Sequence, residues 1–167
     1  MDFFISDLHN MDQNIITYEH RPFNNVESMR DTIINNWNSK VNDNDSVFLL
    51  GDIGNLEILN FLKGKISIIL GNHDNKEQIL SLYPKIEVFP YPILKGFLWL
   101  SHEPIMSLYP ECPYLNIHGH LHRFNFGLLD RKWSDGNRYF NVSVEQINYT
   151  PISIDEIAEK LGIINNK

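Results

Sequence analysis

Five short apolar runs punctuate the chain: FFI at 3–5, VFLL at 47–50, ISIIL at 66–70, FLWL at 97–100 and YLNI at 114–117. Runs of this length, bounded by Gly, Pro, Asn or Asp, suit buried strands better than helices. Helix-length stretches lie between them. Val26, Met29, Ile33, Ile34 and Trp37 recur at spacings of three and four, which predicts a helix with one apolar face, and Asn25 stands where its cap belongs. Leu56, Ile58, Leu59 and Leu62, followed by Gly64, predict a second short helix; residues 76–82, stopped by Pro84, predict a third. Strands alternating with helices make an α/β fold whose sheet is covered on both faces. The pattern changes late: the turn signal Ser134-Asp135-Gly136-Asn137 leads into RYFNVSV, read as a hairpin strand. PISIDEIAEKL then reads as a terminal helix, with Ser153 and Glu156 spaced as a capping box. The expected architecture is a layered α/β/β/α sandwich in one domain, residues 1–167.

Each run ends in polar residues of one chemical kind. After FFIS come Asp7 and His9; after VFLL, Gly51 and Asp52; after ISIIL, Gly71, Asn72, His73 and Asp74. FLWL is followed by Ser101, His102 and Glu103, and YLNI by His118, Gly119, His120, Leu121 and His122. Sites in open α/β sheets form at the carboxyl ends of strands, so parallel strands would gather these groups in one place. Taken singly, each motif reads as turn chemistry: a Gly-Asp turn, or a loop with two solvated imidazoles. The concentration of histidines just beyond the runs argues for a shared site instead. Asp7 and His9, and likewise His120 and His122, lie two apart, which in extended backbone points both side chains one way. Gly71 is expected to permit the tight turn at its strand end.

Imidazole, carboxylate and amide donors together suit borderline divalent metals: Mn first, with Fe, Zn, Ni and Co as other fits. Cys112 is the only cysteine, so neither an internal disulfide nor a closed thiolate zinc site is expected. The net charge of −7 argues against a basic nucleic-acid-coating surface. The opening MDFFISD lacks a basic leader and apolar core, no run approaches bilayer length, and a cytoplasmic location is expected. The sequons at Asn141 and Asn148 are then pattern matches without consequence.

The series Asp7-Leu8-His9, Gly51-Asp52, Gly71-Asn72-His73-Asp74, His102 and Gly119-His120-Leu121-His122 resembles the calcineurin-like metallophosphoesterases, with all five motifs in order. ITYEHRPF (16–23) and NVSVEQINYTPISIDEI (141–157) are similar to a small single-domain bacterial and phage branch, so the resemblance covers nearly the whole chain. It implies the four-layer sandwich of that family and two divalent metals bridged by Asp52. Asp7, His9 and His122 would complete the ligands of one metal; Asn72, His102 and His120 those of the other. A hydroxide between the metals would attack phosphorus in line. His73 would steady the phosphoryl oxygens or protonate the leaving oxygen, with Asp74 orienting it and raising its pKa. Arg21 is a candidate substrate contact, as is Arg123 at the rim. Arg131, Lys132 and Arg138 flank the hairpin turn as further positive charge. His20 reads as an ordinary loop histidine and His118 as a packed neighbour of the ligands. Asp12 stands where the branch often carries a second histidine.

The expected activity is hydrolysis of a small phosphorylated substrate, a nucleotide among the options, with a phosphodiester favoured over a monoester. A non-catalytic binding module on the same fold is a second reading, disfavoured because every motif position is filled. A nuclease acting on nucleic-acid ends is a third, disfavoured by the acidic balance and by the lack of room for added nucleic-acid-binding domains. Neither membrane attachment nor stable nucleic-acid binding is expected.

Overall fold

A computed structural model of the chain describes residues 1–105, 113–124 and 138–163. Two sheets carry the fold, flanked by helices, as the α/β/β/α expectation requires. The first has the order β4-β3-β2-β1-β9, built from β1 (Asp2–Ile5), β2 (Ser46–Leu49), β3 (Lys65–Ile69), β4 (Glu87–Phe89) and β9 (Ile152–Ser153). β1 to β4 run parallel and β9 antiparallel to β1. The second sheet has the order β5-β6-β7-β8, from β5 (Ile93–Lys95), β6 (Leu98–Leu100), β7 (Leu115–His118) and β8 (Tyr139–Asn141). β6, β7 and β8 are parallel there, and β5 is antiparallel to β6.

All five apolar runs therefore contribute strands, and those strands are parallel within each sheet, which sends their carboxyl ends the same way. One continuous apolar core includes Phe4, Leu49 and Ile68 of the first sheet with Leu100 and Ile117 of the second. The two sheets are stitched together at their carboxyl ends. Val142 donates its amide to His118 O at 2.7 Å, and Ser6 donates to Val142 O at 2.9 Å, so the chain after β8 passes from one sheet to the other.

The helices follow local chemistry. α1 (Gln13–Tyr18) starts at Asp12, whose carboxylate accepts from the Asn14 amide. α2 (Val26–Lys40) is capped by Asn25 and buries Met29, Ile33 and Trp37, the predicted stripe. α3 (Lys76–Leu82) begins at Asn75 and ends before Pro84. α4 (Ile154–Lys160) carries the full Ser153–Glu156 capping box.

Several readings need correction. Leu56–Phe61 is a 3₁₀ helix rather than an α-helix; six residues between Asn55 and the extended Leu62 favour the tighter winding. The RYFNVSV segment contributes only Tyr139–Asn141 as a strand, and it pairs parallel with β7 rather than across a hairpin. The turn signal at 134–137, together with Tyr109, Cys112, Arg131, Lys132 and Trp133, lies outside the described residues. The short elements α1, β4, β5 and β9 carry no long periodic signal and were not foreseen. Among the described residues no helix is long and apolar enough to cross a membrane.

Candidate metal centre

The turns leaving the strands are unusual in their backbone. Asp7, His9, Asp52, His120 and His122 adopt φ of 61°, 45°, 54°, 67° and 48°. Left-handed conformations are rare for side-chain-bearing residues, though Asp and His tolerate them better than most. Asp7 and His9 thus converge through left-handed turns and not through the extended backbone expected, while His120 and His122, also left-handed, join different donor groups. Each such residue costs about 1–3 kcal/mol and persists only where neighbouring structure over-determines it. The restraints are visible: Asp7 N donates to Gly51 O at 3.0 Å, His9 N to Asp52 O at 2.9 Å, and Gly119 N to His102 O at 2.9 Å. Glycine at 71 serves close approach and not a left-handed turn, because a Cβ there would overlap the Asp52 carboxylate.

Two groups of donor atoms gather at these turns, and a third, Glu19, His122 and Glu145, shares His122 with the first. Asp7, His9 and His122 offer ligand atoms within 4.8 Å of one another, and so do Asp52, His102 and His120. Asn72 joins the second group, its Oδ1 lying 3.0 Å from His102 Nε2 and 3.1 Å from His120 Nδ1. Asp52 Oδ2 sits between the groups, 3.5 Å from His9 Nε2 and 3.4 Å from His102 Nε2. Its Oδ1 accepts from the His73 amide at 3.0 Å. Asp7 Oδ1 and His9 Nε2 are buried without any hydrogen-bond partner. Buried polar atoms are nearly always satisfied, so these two orphans mark a place where a cation fits. The donor set, imidazole with carboxylate and amide oxygen, fits a borderline divalent metal.

Electrostatics are strongly coupled here. Burial pushes the Asp52 carboxyl up, but His102, the His73 amide and His9 outweigh it and hold the pKa at about 2. Burial likewise opposes charge on His102, yet the Asp52 hydrogen bond and the charges of Asp7 and Asp52 raise it to about 9. For His9 burial prevails and the pKa falls. His102 Nδ1 lies 2.8 Å from Leu50 O, so the neutral ring keeps its proton on Nδ1 and leaves Nε2 facing the cluster. His118 is buried, held by burial at about 4, and stacks edge-on with Tyr139, the packing role expected of it.

Arg21 and Asp74 depart from expectation. Arg21 does not face substrate: its side chain is 0% exposed. It donates through Nη1 to Leu8 O at 2.9 Å, through Nη2 to Asp7 O at 2.8 Å, and through Nε to Glu145 Oε1 at 2.8 Å. Glu145 in turn lies 3.1 Å from His122 Nδ1. This Arg21–Glu145–His122 chain turns Nε2 of His122 toward Asp7, 3.8 Å away. Sequence reasoning missed Glu145, although it sits within the NVSVEQ stretch already singled out. The Asp74 carboxylate accepts from the amides of Asp52 and Gly71 at 2.8 Å each and of Ile53 at 3.0 Å, and makes no hydrogen bond to the His73 ring. It braces two turns together rather than steering His73. The His73 ring is exposed and meets His9 edge-on at 5.6 Å. Arg123 is exposed and donates to His20 O, beside a cavity it shares with Glu145 and Tyr149. Asp12 caps α1, with Oδ2 4.0 Å from His9 Nδ1.

The family model for calcineurin-like phosphoesterases matches residues 3–160. This chain belongs to that family. Metal-dependent hydrolysis of phosphoesters is the activity that membership implies, and the two donor clusters are where the phosphoesterase has ligands to offer. An uncharacterized protein of Methanocaldococcus jannaschii, MJ1445, is 38% identical over 94% of this chain and 89% of its own length. The crystal structure of AQ665, a protein of unknown function from Aquifex aeolicus, superimposes with a TM-score of 0.74 at 28% identity. That match covers 96% of this phosphoesterase and 98% of its counterpart.

Proposed function

We propose that this phosphoesterase works with two divalent cations and hydrolyses a small phosphodiester in preference to a monoester. The observation that carries the two-cation reading is the position of Asp52 Oδ2, 3.5 Å from His9 Nε2 and 3.4 Å from His102 Nε2, so that one carboxylate reaches both donor groups. Asp7, His9 and His122 would hold one cation, Asn72, His102 and His120 the other, with Asp52 available to both. Manganese is the first choice for this donor set, with Fe, Zn, Ni and Co as alternatives. The cations supply activation of the attacking water and neutralisation of charge building on the phosphoryl oxygens.

The chain's own residues do the rest. Glu145 and Arg21 fix the His122 ring, and Asp74 holds the Asp52 and Gly71 turns in register. His73, exposed at the edge of the cluster beside His9, donates a proton to the departing ester oxygen. Such help matters most for an alkoxide leaving group. The test is turnover of bis(p-nitrophenyl) phosphate and of p-nitrophenyl phosphate with Mn²⁺ and other divalent metals. Faster diester hydrolysis, abolished in Asn72→Ala, is expected. No turnover of either ester with any metal, and no difference between Asn72→Ala and wild type, would sink the enzyme reading.

A further inference from the structure

A cavity of about 370 Å³ opens beside Asn72 and His102. Its lining includes the segment Pro90-Tyr91-Pro92, which bridges from β4, at one edge of the first sheet, to β5, at one edge of the second. Tyr91 is 76% exposed and makes no hydrogen bond or ring contact among the described residues. The flanking prolines fix their own φ, and Pro92 also restricts the backbone of Tyr91, so the backbone that carries the exposed aromatic is stiffened. Large exposed aromatics beside a polar site are poor for solubility and good for stacking on a flat ligand. Among the described residues, the lining includes one carboxylate, Glu103, and no lysine or arginine. The Glu103 backbone is anchored by the Ser101 hydroxyl, which donates to Glu103 O at 2.6 Å.

We propose that this cavity receives the organic group of the substrate, and that this group is a nucleoside. Its base stacks on Tyr91, and Glu103 accepts from its amino or hydroxyl groups. The inference rests on the phosphoesterase reading, since it places the reacting phosphate at the Asn72 and His102 end. The volume lies in the range of pockets for small molecules. Away from the Asn72 and His102 end, the described lining pairs the Glu103 carboxylate with no lysine or arginine, which disfavours a second phosphate there, so a single nucleoside ester suits it better than a continuing nucleic-acid strand.

Adenosine 5′-monophosphate and ribose 5-phosphate are the probes, titrated calorimetrically into the full-length, Mn²⁺-loaded protein. The nucleotide is expected to bind at least about tenfold more tightly, as stacking of one base on an aromatic side chain supplies. Tyr91→Phe keeps that preference; Tyr91→Ala narrows it to within about twofold. Equal affinities in the wild type, no binding of either probe, or an unchanged preference in Tyr91→Ala overturns the proposal. Hydrolysis of bis(p-nitrophenyl) phosphate by the same preparation separates the two readings. Turnover without nucleotide preference removes the nucleoside subsite alone. Nucleotide preference without turnover supports the subsite and removes the hydrolase.

Discussion

Glu145 contributes no atom to either of the two three-donor groups around Asp52, yet its carboxylate joins Arg21 to His122 through contacts of 2.6 Å and 3.1 Å. The glutamate side chain is 3% exposed and the arginine 0%. Its partners pull its pKa below the ordinary range despite burial, so the pair is ionic. Glu145→Gln keeps an acceptor for His122 but leaves the Arg21 charge buried without its counter-ion. A loss of about 3–5 kcal/mol in urea unfolding is expected. Removal of an outer-shell carboxylate also lowers metal affinity by roughly 10–100-fold, which calorimetric Mn²⁺ titration reads directly. His73→Ala separates chemistry from binding: Mn²⁺ affinity stays near wild type while kcat on an alkyl phosphodiester falls by about 10²–10⁴. A parallel loss of metal would place His73 among the ligands instead.

At the level of elements, the site is made by the turns that end strands, and two kinds of local device shape them. Caps set where helices begin: Ser153 and Glu156 close the capping box of α4, which packs against β9 and β1. Ser153→Ala is expected to cost about 1 kcal/mol in denaturant unfolding, with Mn²⁺ affinity unchanged because the box lies at the opposite end of β1 from Asp7. Close packing sets how near two turns come. A Cβ on Gly119 would overlap both Ser6 Oγ and the Asp7 carboxylate. Gly119→Ala therefore has to push β7 away from β1. A lowered melting temperature and weakened Mn²⁺ binding are both expected, and retention of wild-type Mn²⁺ affinity would contradict the fit described above.

For the molecule as a whole, the paired charges of Asp52 and His102 tie stability to pH. The folded pKa of Asp52, about 2, lies below its ordinary 3.8, so its contribution is complete above that value and is lost as pH falls toward 2. The folded pKa of His102, about 9, lies above its ordinary 6.5, so its contribution is complete below 6.5 and is lost as pH rises through 9. Calorimetry of the metal-free protein should show a falling melting temperature from pH 6.5 to 9. Metal loading runs the other way, because a ligand imidazole must shed its proton. The gain in melting temperature from a fixed Mn²⁺ concentration is therefore expected to grow over the same interval, and a gain independent of pH would exclude His102 as a ligand.

The five strands built from the apolar runs, β1, β2, β3, β6 and β7, and the polar motifs after them were legible because apolar run length and flanking residues are local signals. Parallel pairing within each sheet then brings those motifs to one place. Left-handed backbone at Asp7, His9, Asp52, His120 and His122 was not legible, since it is imposed by hydrogen bonds from other turns. Arg21 in EHRPF reads equally well as a surface or a substrate-facing residue. Only its partner Glu145, 124 positions along the chain, decides that it is buried beneath His122. Asp74 follows the same rule: adjacent to His73 in sequence, it spends its oxygens on amides of Asp52, Ile53 and Gly71. Residue type and order along the chain thus decided which donors exist and which strands carry them. Which donors face a cation and which brace the others was decided by packing, because that depends on contacts between turns far apart in sequence.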